Sequence, residues 1–379
     1  MKKIVIASSG LMDLFTSYDV ASLIELGIKQ HHAYASIRKF IITDGGFGTT
    51  EALVKAGGGM LYHEQVTGPL GEPVRGSYAL LNDGETGVVE VASASGMSLI
   101  KDYRNPMYTT SYGTGELISA AVQQGCKKIY VGLGGSATND AGAGMLQALG
   151  VRLLNARGEQ IPKGAIGLKQ LAAIDVSKVS RQINNVSFIG LCDVNNALCG
   201  ITGTSFSFAI YKGASLEAAK VLDETLLNFA YVVERQLGKR VKDIPGTGAA
   251  GGIAAGLMAV LGARLCSGAE TIVDLLEMET LMKKEHIDLV VTGCGKLPDS
   301  KVNSSIPKVI ARLSKKYKIP VLGIMQEGME EDPGIVDMEK TAFFPVSKSL
   351  LKRQIENSIV NSVKKAVEAI KYGESGRLA

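Results

Sequence analysis

Short apolar, β-branched runs recur along the chain, and most of them end in Gly, Ser or Asp. Ile4-Val-Ile-Ala-Ser8 is the first, and Phe40-Ile-Ile-Thr43 before Asp44-Gly-Gly is the second. Ile129-Tyr-Val-Gly-Leu133 before Gly134-Gly-Ser is the third, followed by Leu289-Val-Val-Thr292, Val321-Leu-Gly-Ile324 and Ala342-Phe-Phe-Pro345. Runs that are apolar at every position predict strands buried on both faces of a parallel sheet. Between them the apolar spacing becomes helical. Ser17 is placed to cap a helix carrying Val20, Leu23, Ile24 and Ile28 on one face, and Asn139-Asp140 can open another running to Gly150. From about Ser349 to Tyr372, Ile355, Ile359, Val363, Val367 and Ile370 form a third apolar stripe. Alternation of strand and helix argues for a doubly wound sheet.

Two stretches break this rhythm. Residues 59–105 alternate as antiparallel strands do: Met60–Val66, a turn between Pro69 and Pro73, Tyr78–Leu81, an Asn82-Asp-Gly turn, then Val88-Val-Glu-Val. Residues 151–265 mix short strands with a helix near 215–238. The expected fold class is therefore α/β: a Rossmann-like, doubly wound, mainly parallel sheet with a second α/β domain inserted. Residues 1–58, 106–150 and 285–379 are assigned to the first domain, and 59–105 with 151–284 to the second.

Composition narrows the class. With 46% hydrophobic and 21% charged residues there is material for a sizeable core, which excludes bulk disorder. The 45 glycines and the absence of Trp suit a chain with many tight strand–helix turns. A net charge of +4, spread without a basic stripe or interleaved aromatics, argues against a nucleic-acid surface. Met1-Lys-Lys leads into an apolar run too short for a secretory signal, and no stretch approaches the roughly 18 apolar residues of a membrane helix. Cys126, Cys192, Cys199, Cys266 and Cys294 include no CxxC, and the four His show no zinc spacing. The cysteines read as reduced thiols of a cytoplasmic protein.

Ligands of open parallel sheets bind beyond the carboxyl ends of the strands, so the Gly-rich turns are the candidates for chemistry. The richest is Gly132-Leu-Gly-Gly-Ser-Ala-Thr-Asn-Asp140, followed by Ala-Gly-Ala-Gly144. Its small residues let backbone approach an anion, Ser136 and Thr138 add hydroxyls, and the following helix start can point N–H groups at the ligand. It has no Lys and matches neither a Walker A loop nor GxGxxG. A tight turn with glycines for packing explains the same residues. Gly246-Thr-Gly-Ala-Ala-Gly-Gly-Ile-Ala-Ala-Gly256 can close over phosphates or be a helix whose small residues pack closely, and a site-adjacent helix start at Gly248–Gly252 is the favoured reading. Arg104-Asn-Pro106 offers a guanidinium fork to a carboxylate or phosphate, or is a surface Arg before a turn. Asp193-Val-Asn-Asn196 puts a carboxylate at a strand end, where it can hold Mg²⁺, accept a proton or form an Asx-turn. Asp44-Gly-Gly-Phe-Gly-Thr49 is a helix-start turn or a ligand loop.

The ordered set of motifs resembles the bacterial-type glycerate kinase family. The matching pieces are Asp44-Gly-Gly-x-Gly-Thr49, Val66-Thr-Gly-Pro-Leu-Gly-Glu-Pro-Val74, Ala92-Ser-Ala-Ser-Gly96 and Arg104-Asn-Pro106. They continue with Tyr112-Gly-Thr-Gly-Glu116, Gly134-Gly-Ser-Ala-Thr-Asn-Asp140, Asp193-Val-Asn-Asn196 and Gly248-Ala-Ala-Gly-Gly252. Each is weak alone, but the order holds over nearly the whole chain. The resemblance implies ATP- and Mg²⁺-dependent phosphorylation of glycerate or a similar small hydroxy acid, in a site between a Rossmann-like domain and an inserted one. It implies catalytic roles for Asp193 and Arg104, with Asp193 as the candidate Mg²⁺ ligand. It implies substrate or nucleotide contacts from Asp44, Ser95, Thr114, Gly134, Gly135, Ser136, Thr138, Asn139, Asp140, Asn195 and Lys212. The expected partner is a small carboxylate, with no nucleic acid and no membrane, and a homodimer is left open.

The chain also departs from that pattern. Ser9 and Met12 stand where relatives carry Asp and Lys, and Phe47 where they carry Glu. Ala209-Ile-Tyr-Lys-Gly213 replaces Gly-Pro-Gln-Lys-Gly, keeping Lys212 and the last Gly. Cys294, Pro298 and Asn303-Ser-Ser305 replace a Glu, an Asp and a Ser-Gly-Lys, while Lys301 offers a cation in the same loop. Phosphoryl transfer relies on positioning and on cations that neutralise developing charge. These changes raise an alternative: a catalytically degenerate relative that binds a small anionic metabolite without phosphoryl transfer. A thiol chemistry at Cys294 is the third reading, against a small residue filling a vacated position.

Overall fold

A computed structural model describes residues 2–11, 15–43, 45–100, 103–294, 306–326, 341–347 and 352–371. The chain divides into two compact units, residues 1–43 with 269–379, and residues 44–268.

The discontinuous unit is built on β1 (Lys3–Ser8), β2 (Ser36–Ile41), β11 (Leu289–Cys294), β12 (Val321–Gln326) and β13 (Thr341–Val346). All are parallel, in the order β13-β12-β11-β1-β2. The apolar runs are central here, with Val5, Ile6, Val290 and Val291 fully buried, as strands covered on both faces must be. Helix α1 (Ser17–Lys29) starts one residue earlier than Ser17 suggests. Thr16 is its cap: Asp19 N–H donates to Thr16 Oγ1 at 3.2 Å while Thr16 N–H donates to the Asp19 carboxylate at 2.8 Å. This reciprocal box satisfies two orphan donors, which Ser17 could not do from inside the helix. Helix α1 packs on the last helix, α12 (Lys352–Lys371), at Gly27, where a Cβ would lie 2.8 Å from the Val360 carbonyl.

Residues 44–268 form a six-stranded sheet of order β10-β9-β6-β5-β4-β3. Its strands are β3 (Gly59–Thr67), β4 (Pro73–Leu81), β5 (Thr86–Glu90), β6 (Lys128–Gly132), β9 (Ser187–Leu191) and β10 (Arg264–Cys266). β3, β4 and β5 are antiparallel, joined at the two turns expected from sequence, while β5, β6, β9 and β10 run parallel. A small hairpin, β7 (Arg152–Leu154) with β8 (Ala173–Asp175), completes the strands of this unit. The helices here are α2 (Thr49–Gly57), α3 (Val91–Ser95), α4 (Tyr112–Gln123), α5 (Ala143–Ala148), α6 (Arg181–Asn184), α7 (Leu216–Leu237) and α8 (Ile253–Leu261). α9 (Gly268–Leu275), α10 (Met278–Lys284) and α11 (Ile306–Lys316) lead back through the other unit. Leu117, Ile118, Met145 and Phe229 anchor the core of residues 44–268, and Tyr62 stacks on Tyr78 at 5.2 Å.

The α/β class and the mainly parallel sheets agree with the expectation, but the division of the chain does not. β6 was assigned to the Rossmann-like domain, yet it pairs in parallel with β5 and β9, from Thr86↔Lys128 to Gly132↔Leu191. Residues 44–58 and 106–150 therefore belong with 59–105 and 151–268, and residues 269–284 with the split unit. The apolar run 129–133 carries no mark of which sheet it joins; only long-range pairing decides that. Among the described residues no helix is long and apolar enough to cross a membrane.

Candidate functional site

The candidate site is built on residues 133–141, which leave the carboxyl end of β6. Its glycines are there because other backbone lies against them. A Cβ at Gly132 would sit 2.1 Å from the Gly45 carbonyl, and one at Gly134 2.6 Å from Gly46 Cα. The 45–48 turn thus crosses the carboxyl ends of β6 and β9. On the other side the loop is laddered to residues 95–97. Met97 N–H donates to Gly135 O at 3.0 Å, Ala137 N–H to Ser95 O at 2.8 Å, and Gly96 bridges Ser136. Behind it, the buried hydroxyls of Ser95 and Thr114 are bonded at 2.8 Å, and Thr109 Oγ1 donates to Ala137 O at 2.9 Å.

Lys212 enters this loop from the turn that follows a π-helical segment at Ser205–Ala209. Its Nζ donates to Ser136 Oγ at 2.9 Å and to Thr138 O at 2.7 Å. Burial of the ammonium pushes its pKa down to about 7, and the Asp140 carboxylate pulls in the opposite direction. Gly213, at φ +97°, lets the chain press against residue 104: a Cβ there would lie 2.4 Å from the Arg104 carbonyl. Arg104 itself is exposed. Asn139 Nδ2 donates to Ser205 Oγ at 3.0 Å. Thr138 Oγ1, Asn139 Oδ1 and Thr204 Oγ1 are buried without a hydrogen-bond partner among the described residues. Buried polar atoms are rarely left so, and an ordered water is their ordinary partner.

Asp140 is wholly buried, and its carboxylate is occupied by the chain itself. Gly142 N–H donates to Oδ1 at 3.1 Å; Ser111 N–H, Ser111 Oγ and Gly144 N–H donate to Oδ2 at 3.0, 2.8 and 3.2 Å. Burial raises its pKa and these four donors lower it, with burial the larger. The helix expected from Asn139 begins only at Ala143, as α5, because residues 140–142 form the turn that feeds N–H groups to Asp140. Those N–H groups are turned inward to a carboxylate, so the loop presents hydroxyls and Lys212 as its polar groups.

Two further supports flank the loop, and the first was not apparent from sequence. Glu90, at the end of β5, accepts from Gly48 N–H at 3.1 Å and, through Oε1, from Thr50 N–H at 2.6 Å and Thr50 Oγ1 at 2.8 Å. It caps α2 from another strand and pins the 45–48 turn; burial raises its pKa against those bonds. The signal available was a lone acid inside the apolar run Val88-Val-Glu-Val. The second support is the 248–252 turn. Gly251, at φ +66°, brings a hypothetical Cβ within 1.9 Å of Thr138 O, and Ala141 N–H donates to Gly251 O at 3.0 Å. Ala141 and Ala250 are held left-handed at φ +51° and +54°, at about 1–2 kcal/mol each.

Asp193 lies at the end of β9, half-buried, with Oδ1 accepting from Ser267 Oγ at 2.9 Å and Gly268 N–H at 3.0 Å. Asn195, half-buried, follows two residues later. Among the described residues no group of three His, Cys, Asp or Glu gathers as a metal site. Of the departures, Ser9 is buried with Oγ donating to Gly293 O at 3.0 Å, Phe47 is 80% exposed on the 45–48 turn, and Tyr211 is exposed beside Lys212. Asp44, Met12, Pro298, Lys301, Asn303 and Ser305, and the side chain of Cys294, lie outside the described residues.

Comparison with known proteins gives a consistent result. The sequence model of the glycerate kinase family matches residues 4–371. The glycerate kinase of Bacillus subtilis (strain 168) is 42% identical over 323 residues, 85% of this chain and 84% of the relative. The glycerate 2-kinase of Escherichia coli (strain K12) is 42% identical over 338 residues, 88% of this chain and 87% of the relative. A crystal structure of a candidate glycerate kinase 2 from Salmonella typhimurium LT2 matches with a TM-score of 0.82 at 38% identity, over 99% of both chains.

Proposed function

The chain belongs to the glycerate kinase family, and on that premise we propose that this phosphotransferase phosphorylates glycerate, or a similar small hydroxy acid, with ATP as donor and Mg²⁺ as the accompanying cation. The observation that carries the reading is Lys212. A buried ammonium held on Ser136 and Thr138 inside a Gly-rich loop is an anion-binding group, since burial disfavours its charge by more than the Asp140 carboxylate restores. Two of its three N–H bonds go to the protein, which leaves one for a ligand oxygen. An arriving carboxylate or phosphate favours the charged form of Lys212, whose amine takes up the proton near neutral pH.

The other residues take roles around it. Arg104, whose backbone adjoins Gly213, supplies a second cation for the carboxylate. Backbone of Gly134 and Gly135, with Ser136, Thr138, Asn139 and Asn195, lines the bound oxygens, while Ser95 and Thr114 brace the loop. Asp44 is assigned a ligand contact on the family resemblance alone. Asp140 holds the loop in shape. Mg²⁺ binds through one or two carboxylates plus phosphate oxygens and water. Asp193, with one oxygen oriented by Ser267 and Gly268, fits that modest demand or that of a base for the attacking hydroxyl. Bound with the nucleotide, the ion would neutralise phosphate charge. The chain is assigned to the cytoplasm.

A coupled assay with ATP, Mg²⁺ and D-glycerate tests the proposal. ADP release is expected to depend on both substrates, and Lys212→Met is expected to lower kcat/KM by about 10²–10³. Absence of turnover above a glycerate-free control at high enzyme concentration sinks it. The binding-only alternative finds no support in the Bacillus subtilis and Escherichia coli relatives, which are both called kinases.

A further inference from the structure

We propose that the outer edge of β3 is a docking surface for a second copy of this chain, whose own β3 adds antiparallel about a two-fold axis through His63. β3 ends the order β10-β9-β6-β5-β4-β3, so among the described residues no strand pairs with its outer edge. It is nine residues long and pairs with β4 without a bulge from Gly59↔Leu81 to Thr67↔Pro73. Natural edges of this length are usually blunted by Pro, Lys, a bulge or a covering segment. Gly59-Met-Leu-Tyr-His-Glu-Gln-Val-Thr67 contains no Pro, Lys or Arg. Among the described residues only Thr67 is covered at the backbone, its N–H donating to Glu116 at 2.6 Å. Met60 is 61% exposed, and His63, Glu64 and Gln65 are exposed.

The sequence of the strand selects its own copy as the occupant. A two-fold axis normal to the sheet keeps every side chain on its own face, so facing residues have the same parity. Centring the axis on His63 overlaps all nine residues. It sets Met60 against Val66, apolar on apolar, and Tyr62 against Glu64, a phenol on a carboxylate, with Leu61 along the stem of Gln65 and His63 facing its own copy. Centring it on Glu64 instead opposes two carboxylates directly, which is destabilising. Centring it on Tyr62 leaves Val66 and Thr67 without partners. The strand is thus self-complementary in one register.

The test reads assembly and register together, on the full chain. Wild-type protein is expected to sediment as a dimer at micromolar concentration. In the proposed register the two copies of residue 63 face each other with Cα atoms about 4.5–5.5 Å apart, within the span of about 4.4–6.8 Å that a disulfide bridges. The two copies of residue 65 are offset by about 13 Å along the strands. Under mild oxidation His63→Cys is expected to give a disulfide-linked dimer, while Gln65→Cys and the parent chain stay uncrosslinked. Both positions are exposed, so both variants are expected to fold and to sediment under reducing conditions as the parent does. A monomeric parent, a dimer in which His63→Cys does not cross-link, or equal cross-linking of the two variants overturns the proposal.

Discussion

Lys212 sits where its charge is disfavoured, and that has a thermodynamic signature. An unfolded lysine keeps its proton to about pH 10.4; the folded one releases it at about 7. Between those values the unfolded chain binds more protons, so this group makes stability rise with pH from about 7 to about 10.4. The penalty is fully present below the folded value and gone above the unfolded one. Lys212→Met removes it, so the melting temperature of the variant is expected to depend less steeply on pH between 7 and 9.5 than that of the wild type. Parallel slopes count against a buried ammonium. Asp140 is the opposite case, a carboxylate saturated by four donors. Asp140→Ala leaves those donors buried and unpaired, and urea unfolding is expected to show a loss of about 3–5 kcal/mol. Residue types alone could not separate these roles. Ser136, Thr138, Asn139 and Asp140 stand together in sequence, yet Asp140 turns inward to Ser111 while Ser136 and Thr138 meet a lysine more than seventy positions away.

Among the elements, α2 depends on an acid it does not contain. Its first residues carry no side-chain cap of their own, and Glu90 accepts Gly48 N–H and Thr50 N–H instead. Glu90→Ala is expected to reduce unfolding free energy by about 3 kcal/mol and, by loosening the 45–48 turn, to raise KM more than it lowers kcat. Unchanged KM in a folded variant argues that the turn does not touch ligand. The 248–252 turn predicts a contrast between neighbours. Gly251→Ala drives a Cβ into Thr138 O and should deform the candidate site, whereas Ala250→Gly relieves a left-handed alanine and should change stability by less than about 1 kcal/mol. Comparing melting temperature and glycerate KM for the pair checks both. Elements were readable from sequence where local pattern suffices: the β1, β11 and β12 runs, the β3–β4–β5 turns and the long α7. The α5 start was misplaced because a buried carboxylate two residues upstream of its cap takes the turn's N–H groups, a tertiary effect that periodicity does not carry.

At the scale of the molecule, one compact unit runs over residues 44–268, where the sequence reading divides the inserted domain between 59–105 and 151–284. Strands destined for parallel sheets look alike, and β6 was placed in the wrong one because pairing partners are distant in sequence. The compact unit 44–268 is one continuous segment. Expressed alone, it is expected to fold with a single cooperative thermal transition, since its sheet and core are complete within it. A fragment that shows no tertiary signal in near-ultraviolet circular dichroism refutes that autonomy. The family match, by contrast, was visible in the ordered short motifs, most of which carry a glycine, several of them pressed against other backbone.

The split unit carries a consequence for how the protein is made. β1 lies between β2 and β11 in the five-stranded sheet, and β11 follows only after all of residues 44–268. At about 5–20 residues per second, the ribosome takes on the order of 10–50 s to deliver it. During that interval the β1–α1–β2 segment has emerged with its apolar strands unpaired on one side, while the segment behind it can already fold. The nascent chain therefore presents a chaperone client at its leading end, and the order of synthesis, rather than final stability, sets when that client is released.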